Sequence, residues 1–188
     1  RKSSKIVISV NDLNVTTKDN ECIIDNVSFD IQAGEHIALI GKNGSGKSTF
    51  LKAILGQTEN LNVSGEILIG PSVKIGYLPQ IIEFINDKQN LLEYFRNEVG
   101  IGEQKARQIL AGFEFYKEDV TKKLKMLSGG EKMKIKLAEL LQKEINTLIF
   151  DEPTNHIDIP TKEVLESAIE DFDGTLLFVS HDRYFINK

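Results

Sequence analysis

Apolar residues follow two periods along this chain, and the change from one to the other organises it. Residues 5–11, KIVISVN, and 22–31, CIIDNVSFDI, read as strands, the second alternating at Val27, Phe29 and Ile31. Lys18-Asp19-Asn20 is a turn between them. Gln32 to Glu35 turns the chain into His36-Ile37-Ala38-Leu39-Ile40, a short apolar run of the kind found in buried parallel strands. From Ser48 to Leu55 the spacing becomes helical, with Phe50, Leu51, Ile54 and Leu55 on one face and Gly56 placed to stop it. Residues 66–70 and 73–78 read as a hairpin around Gly70-Pro71-Ser72.

Residues 81–127 carry no strand signal. Asn90 can cap a helix bearing Leu91, Leu92, Tyr94, Phe95 and Val99, and a second helical pattern holds Ala106, Ile109, Leu110 and Phe113. Ser128 and Glu131 then form a capping box ahead of Met133, Leu137, Leu140 and Leu141. A helical subdomain of about residues 81–145 inserted in an α/β core is expected. Thr147 to Phe150 is an apolar strand. Residues 161–172 form a helix with Val164, Leu165, Ala168, Ile169 and Phe172 on one side, and Thr175 to Val179 is a last strand. Apolar strands alternating with helices predict a parallel sheet covered on both faces, behind an N-terminal antiparallel β section.

Composition narrows the class. The 188 residues suit one domain, or one core with a subdomain. A net charge of −5 argues against gripping a nucleic-acid backbone with the whole surface. No apolar run approaches the roughly 20 residues that span a bilayer, and RKSSK leads into IVISV and then polar residues, not a secretory pattern. Cys22 is the one cysteine, which excludes an internal disulfide and reads as a small apolar strand residue. A reducing, cytoplasmic setting is expected.

The chemistry centres on Gly41 to Thr49, GKNGSGKST, which fits G-x-x-x-x-G-K-[ST] between an apolar strand and a helix. A triphosphate needs many donors in a small concave space. Glycines at Gly41, Gly44 and Gly46 leave backbone N–H groups unobstructed, and the helix N-terminus adds partial positive charge. Lys47 can reach the β- and γ-phosphates, and the Ser48 hydroxyl can ligate Mg²⁺.

Asp151-Glu152 follows the strand Leu148-Ile149-Phe150. The first carboxylate can hold Mg²⁺ through water, and the second can orient and deprotonate an attacking water. His181 ends the last strand and is either a γ-phosphate donor or a structural histidine. Gln80 is either a sensor of γ-phosphate or Mg²⁺, or a surface amide after a proline. Ser128-Gly129-Gly130 is odd, because two glycines in a first turn cost helix stability. Bare backbone at a helix start is a second anion site, which a facing copy would supply. Lys122, Lys123, Lys125, Lys132, Lys134 and Lys136 read as a solvated helix face, or alternatively as contacts to RNA or nucleotide phosphate.

Together these residues resemble the nucleotide-binding domain of an ATP-binding cassette (ABC) ATPase. Walker A is Gly41–Thr49, the Q-loop residue is Gln80, and the signature is Leu127 to Glu131. Walker B is Leu148 to Asp151 with Glu152 after it, the D-loop is Asn155 to Asp158, and the switch histidine is His181. The resemblance implies a RecA-like P-loop core that hydrolyses MgATP. It implies nucleotide contacts from Gly41, Asn43, Gly44, Ser45, Gly46, Lys47, Ser48 and Thr49, and from Ser128, Gly129 and Gly130 of a second ABC domain closing head to tail. Ser48, Gln80 and Asp151 would hold Mg²⁺, and Glu152, Lys47, Gln80 and His181 would serve catalysis.

The wording Asp151-Glu152-Pro153-Thr154-Asn155-His156-Ile157-Asp158, with Ser180 to Phe185, resembles the ABC-F branch of soluble tandem proteins, many of which act on ribosomes. The resemblance assigns His156 to the D-loop rather than to a metal site. Where the family carries an aromatic for adenine, this sequence has Val15-Thr16-Thr17, with Thr17 the matching position. The absence of a long insertion before the signature, the basic start and the stop soon after His181 suit the second domain of a tandem chain. Such a domain alone is expected to be a weak ATPase, and ribosome contact is expected through other parts of the longer protein. The motor subunit of a membrane transporter is the alternative.

Overall fold

The computed structural model describes residues 5–40, 46–151 and 157–180. They form two compact units. The first takes residues up to Ile75, Asn146–Phe150 and from Gly174 on; the second takes Gly76–Ile145 and Asp151–Asp173.

In the first unit, β1 (Ile6–Thr17) lies between β2 (Cys22–Gln32) and β4 (Leu61–Ile69), antiparallel to both. β1 runs six residues beyond the expected Asn11 because a bulge carries it through. Asp12 sits at φ 49, and the β1–β4 register shifts between Asn11 and Asn14. The bulge flips the pleat, so the buried set changes from Ile8 and Val10 to Leu13 and Val15. Only glycine fits opposite: a β-carbon at Gly65 would lie 2.2 Å from the Asp12 carbonyl oxygen.

This pairing overturns the expected hairpin. β4 runs antiparallel to β1 from Ile69↔Ile8 to Leu61↔Thr17, and β5 (Ile75–Leu78) is not its partner. The polar first half of β4, Asn62 to Gly65, hides a strand whose register β1 dictates.

β3 (His36–Ile40) pairs in parallel with β7 (Thr175–Ser180), from His36↔Leu176 to Ile40↔Ser180, and β6 (Thr147–Asp151) lies beside β7. β6 is wholly buried, and Phe150 stacks on Phe178 with centroids 5.0 Å apart. β3 was expected to be buried, yet Ile37, Ala38 and Leu39 are half-buried and His36 is exposed. It heads the strand order β3-β7-β6 and pairs with β7 on one side. α1 (Lys47–Ile54) buries Phe50, Leu51, Ala53 and Ile54, and Phe50 meets Phe29 of β2 at 5.5 Å. Cys22 opens β2 and is exposed rather than packed.

The second unit is helical. Asn90 caps α2 (Leu91–Tyr94) in a full capping box with Glu93, and a π-helical turn, Phe95–Val99, follows. α3 (Glu103–Gly112) buries Ala106 and Leu110. α4 (Gly129–Gln142) starts on the expected box, with Ser128 accepting from the Glu131 N–H and Glu131 from the Ser128 N–H. α5 (Ile159–Glu170) is capped by Asp158 and begins with Pro160 in its first turn.

α4 is buried on more than one stripe, with Met133, Ile135, Leu137 and Ala138 at most 2% exposed. This corrects the solvated-face reading for Lys134, whereas Lys122, Lys123 and Lys125 are exposed as expected. Lys134 is 7% exposed, with Nζ 4.7 Å from the Phe115 ring centroid. Lys122 pairs with Glu131, and Lys136 with the buried Glu139.

Candidate functional site

Each unit supplies part of the chemistry. In the first, the chain enters α1 through Gly46 at φ 90 and ψ 6, the left-handed region. A side chain there would also meet Ile23, whose carbonyl oxygen lies 3.1 Å from the ideal β-carbon position. Position 46 is therefore reserved for glycine by conformation and by space. No side chain caps the helix and no acidic residue occupies its first turn. Its first turn offers backbone N–H groups, the Lys47 ammonium and the hydroxyls of Ser48 and Thr49. That donor set is cationic or neutral and suits an anion, so the phosphates of a nucleotide fit it. Gly41, Asn43, Gly44 and Ser45 lie outside the described residues.

In the second unit, Asp151 closes β6 and is 5% exposed. Its charge is felt nearby: burial and then the Asp151 carboxylate raise the Tyr77 phenol above the usual tyrosine range. Tyr77 was not among the expected site residues, and only the placement of β5 reveals it. Glu152, Asn155 and His156 lie outside the described residues, as does His181 in the first unit's sequence.

A cavity of about 390 Å³ in the second unit brings Gln80 together with Ser128, Gly129, Gly130, Ile157 and Asp158. The two signature glycines differ there. A β-carbon on Gly129 would meet nothing, whereas one on Gly130 would lie 3.0 Å from Thr161 Cγ2 and 3.4 Å from Ile157 Cγ2. Thr161 is itself fixed, its hydroxyl donating to Asp158 Oδ1 at 2.7 Å and its N–H to Oδ2 at 3.3 Å. The Thr161 hydroxyl, foremost, lowers the pKa of the exposed Asp158. For Glu131, partial burial favours the neutral acid, but the Ser128 N–H and Lys122 outweigh it and its pKa falls.

With both halves described, the comparison with known proteins decides the assignment. The sequence profile of the ABC transporter family matches residues 24–155. The chain belongs to that family. As an ABC domain it is 43% identical to YdiF of Bacillus subtilis (strain 168), over 100% of this chain and 29% of that protein. It is 42% identical to the ribosome protection protein VmlR of the same organism, over 93% of this chain and 32% of the other. The chain thus spans about a third of the length of these curated relatives. They belong with the ABC-F branch that the DEPTNHID wording resembles. The fold of this ABC domain matches cbiO1 from Clostridium perfringens, part of the ABC transporter complex cbiONQ, with a TM-score of 0.73 at 21% identity, covering 97% of this chain and 81% of that one. Among the described residues no helix is long and apolar enough to cross a membrane.

Proposed function

We propose that this domain binds and hydrolyses MgATP and closes head to tail on a second ABC domain, within an ABC-F protein that acts on the ribosome from the cytoplasm. The observation that carries the reading is the start of α1: a left-handed, space-restricted Gly46 directly ahead of Lys47 and Ser48, without a capping side chain. The ribosomal part rests on kinship with VmlR, named as a ribosome protection protein.

Lys47 places its ammonium on the β- and γ-phosphates, and the first-turn N–H groups hold the phosphate oxygens. Ser48, Gln80 and Asp151 are the residues that would hold Mg²⁺. The ion supplies neutralisation of charge on the transferring phosphoryl group. Glu152 takes the proton of the attacking water, and His181 donates to the γ-phosphate. Ser128, Gly129 and Gly130 present the N-terminus of α4 to the nucleotide of the facing domain.

The test uses Glu152→Gln, which keeps the shape and removes the base. Turnover falls steeply while ATP binding survives. Sedimentation velocity of the variant is expected to detect weak self-association only with MgATP, whose negative charge at the seam the facing α4 N-terminus neutralises. Wild-type turnover in the variant, or a stable dimer without nucleotide, contradicts the shared-site mechanism.

A further inference from the structure

We propose that the groove between the C-terminal end of α3 and the outer side of α5 is a docking site for a basic amphipathic helix of a protein partner. The groove lies within the second unit, encloses about 510 Å³ and is separate from the cavity that holds the signature residues.

Its shape follows from α5. Pro160, Val164 and Ala168 are spaced four apart and form one ridge; Glu163, Ser167 and Asp171 form the next. Each ridge runs two turns, about 12 Å. Buried Phe113 and half-buried Leu141 complete an apolar floor with Val164 and Ala168. A two-turn trough with an apolar floor is the form that receives a helix through residues at i and i+4.

The charge selects the partner. Glu114, Glu163 and Asp171 rim the groove, and no basic residue lines it. Among the described residues, no side-chain hydrogen bond or ion pair engages those three carboxylates. Over residues 159–173 the sequence carries Glu163, Glu166, Glu170, Asp171 and Asp173 against Lys162 alone. This face repels a phosphate backbone and attracts lysine and arginine, so a protein segment rather than RNA is its complement.

The backbone at the rim supports the same reading independently. α3 ends in a Schellman motif: the Glu114 N–H donates to Ala111 O at 3.0 Å and the Phe115 N–H to Leu110 O at 2.9 Å. The left-handed position of that motif normally holds glycine. Here it holds Glu114, at φ 66. The glycine stands two residues earlier, at Gly112 inside the helix, where a β-carbon would meet nothing. Folding gains from neither choice. Docking gains from both, since one puts a carboxylate at the rim and the other leaves the groove mouth open.

The experiment uses the whole chain and a fluorescein-labelled amphipathic peptide of leucine and lysine at helical spacing, with a leucine–glutamate peptide as control. Fluorescence anisotropy is expected to show saturable, salt-sensitive binding of the lysine peptide and at least tenfold weaker binding of the control. Glu163→Lys with Asp171→Lys is expected to weaken the lysine peptide by at least tenfold while leaving nucleotide binding unchanged. Glu114→Gly and Gly112→Ala separate docking from folding: each is expected to raise the thermal midpoint and weaken the peptide several-fold. Equal binding of the two peptides, or affinity unmoved by the charge reversals, overturns the proposal. So does displacement of the peptide by single-stranded RNA, or a dimer broken by the same reversals, which would assign the face to nucleic acid or to a second copy.

Discussion

Gly130 and Thr161 are in contact: the threonine methyl lies 3.0 Å from where a β-carbon on residue 130 would sit. The two signature glycines therefore serve different ends. Gly130 lets α4 pack on α5, and Gly129 keeps the end of α4 bare.

Alanine separates them. Gly130→Ala is expected to destabilise by about 1–2 kcal/mol, because Thr161, tied to Asp158 by two bonds, cannot step aside. Adding Thr161→Ser removes the offending methyl, keeps the hydroxyl and restores the thermal midpoint. Gly129→Ala is expected to melt no lower than wild type, gaining up to about 0.5–1 kcal/mol of helix stability, while losing MgATP-dependent association. A Gly129→Ala domain that still associates would remove Gly129 from the proposed seam.

The second prediction concerns acid. Glu139 is 4% exposed and is held by the Tyr94 hydroxyl at 2.6 Å, Lys143 at 3.0 Å and Lys136 at 3.0 Å. Burial works against its ionisation, but these three partners prevail and hold its carboxyl below the usual carboxylate range. Burial first, then the Glu139 hydrogen bond, raises the Tyr94 phenol. A depressed carboxylate contributes stability that is present above its unfolded value, about 4.3, and is lost as pH falls through the folded value. Glu139→Gln is expected to cost about 1–3 kcal/mol at pH 7. Urea unfolding should show that difference shrinking as pH drops below about 4. A difference independent of pH would contradict the ionised state.

The third prediction concerns the base. Thr17 is occupied by its own turn, accepting from the Glu21 N–H at 3.1 Å while its N–H donates to the Glu21 carbonyl at 2.9 Å. It offers no aromatic face. Base stacking is worth about 1–3 kcal/mol, so ATP is expected to bind weakly and with little preference over GTP. Thr17→Tyr should strengthen ATP by roughly that amount in competition titrations. A strong ATP preference in the wild type would show that another residue reads the base.

What the sequence made legible was local. The cap at Asn90, the capping box at Ser128, the glycine stop after α1 and the apolar run into Asp151 each depend on residues within a few positions, and each is present. The misses all depended on distant partners. The polar half of β4 is a strand only because β1 bulges at Asp12 opposite Gly65. Lys134 looks like a surface residue until Phe115 lies beneath it, and Glu139 until Tyr94 reaches it. Of the candidate residues, Lys47 and Ser48 open α1, Asp151 ends β6 and the signature leads into α4, whereas Tyr77 was invisible because its neighbour is 74 positions away.

The central claim is that α1 begins at a phosphate site built around Lys47, and calorimetric titration of MgATP tests it most directly. Wild-type protein is expected to bind MgATP. Lys47→Ala, which removes the ammonium from the first turn of α1 and leaves the fold intact by circular dichroism, is expected to show no measurable binding. Undiminished affinity in a folded Lys47→Ala protein would contradict the account.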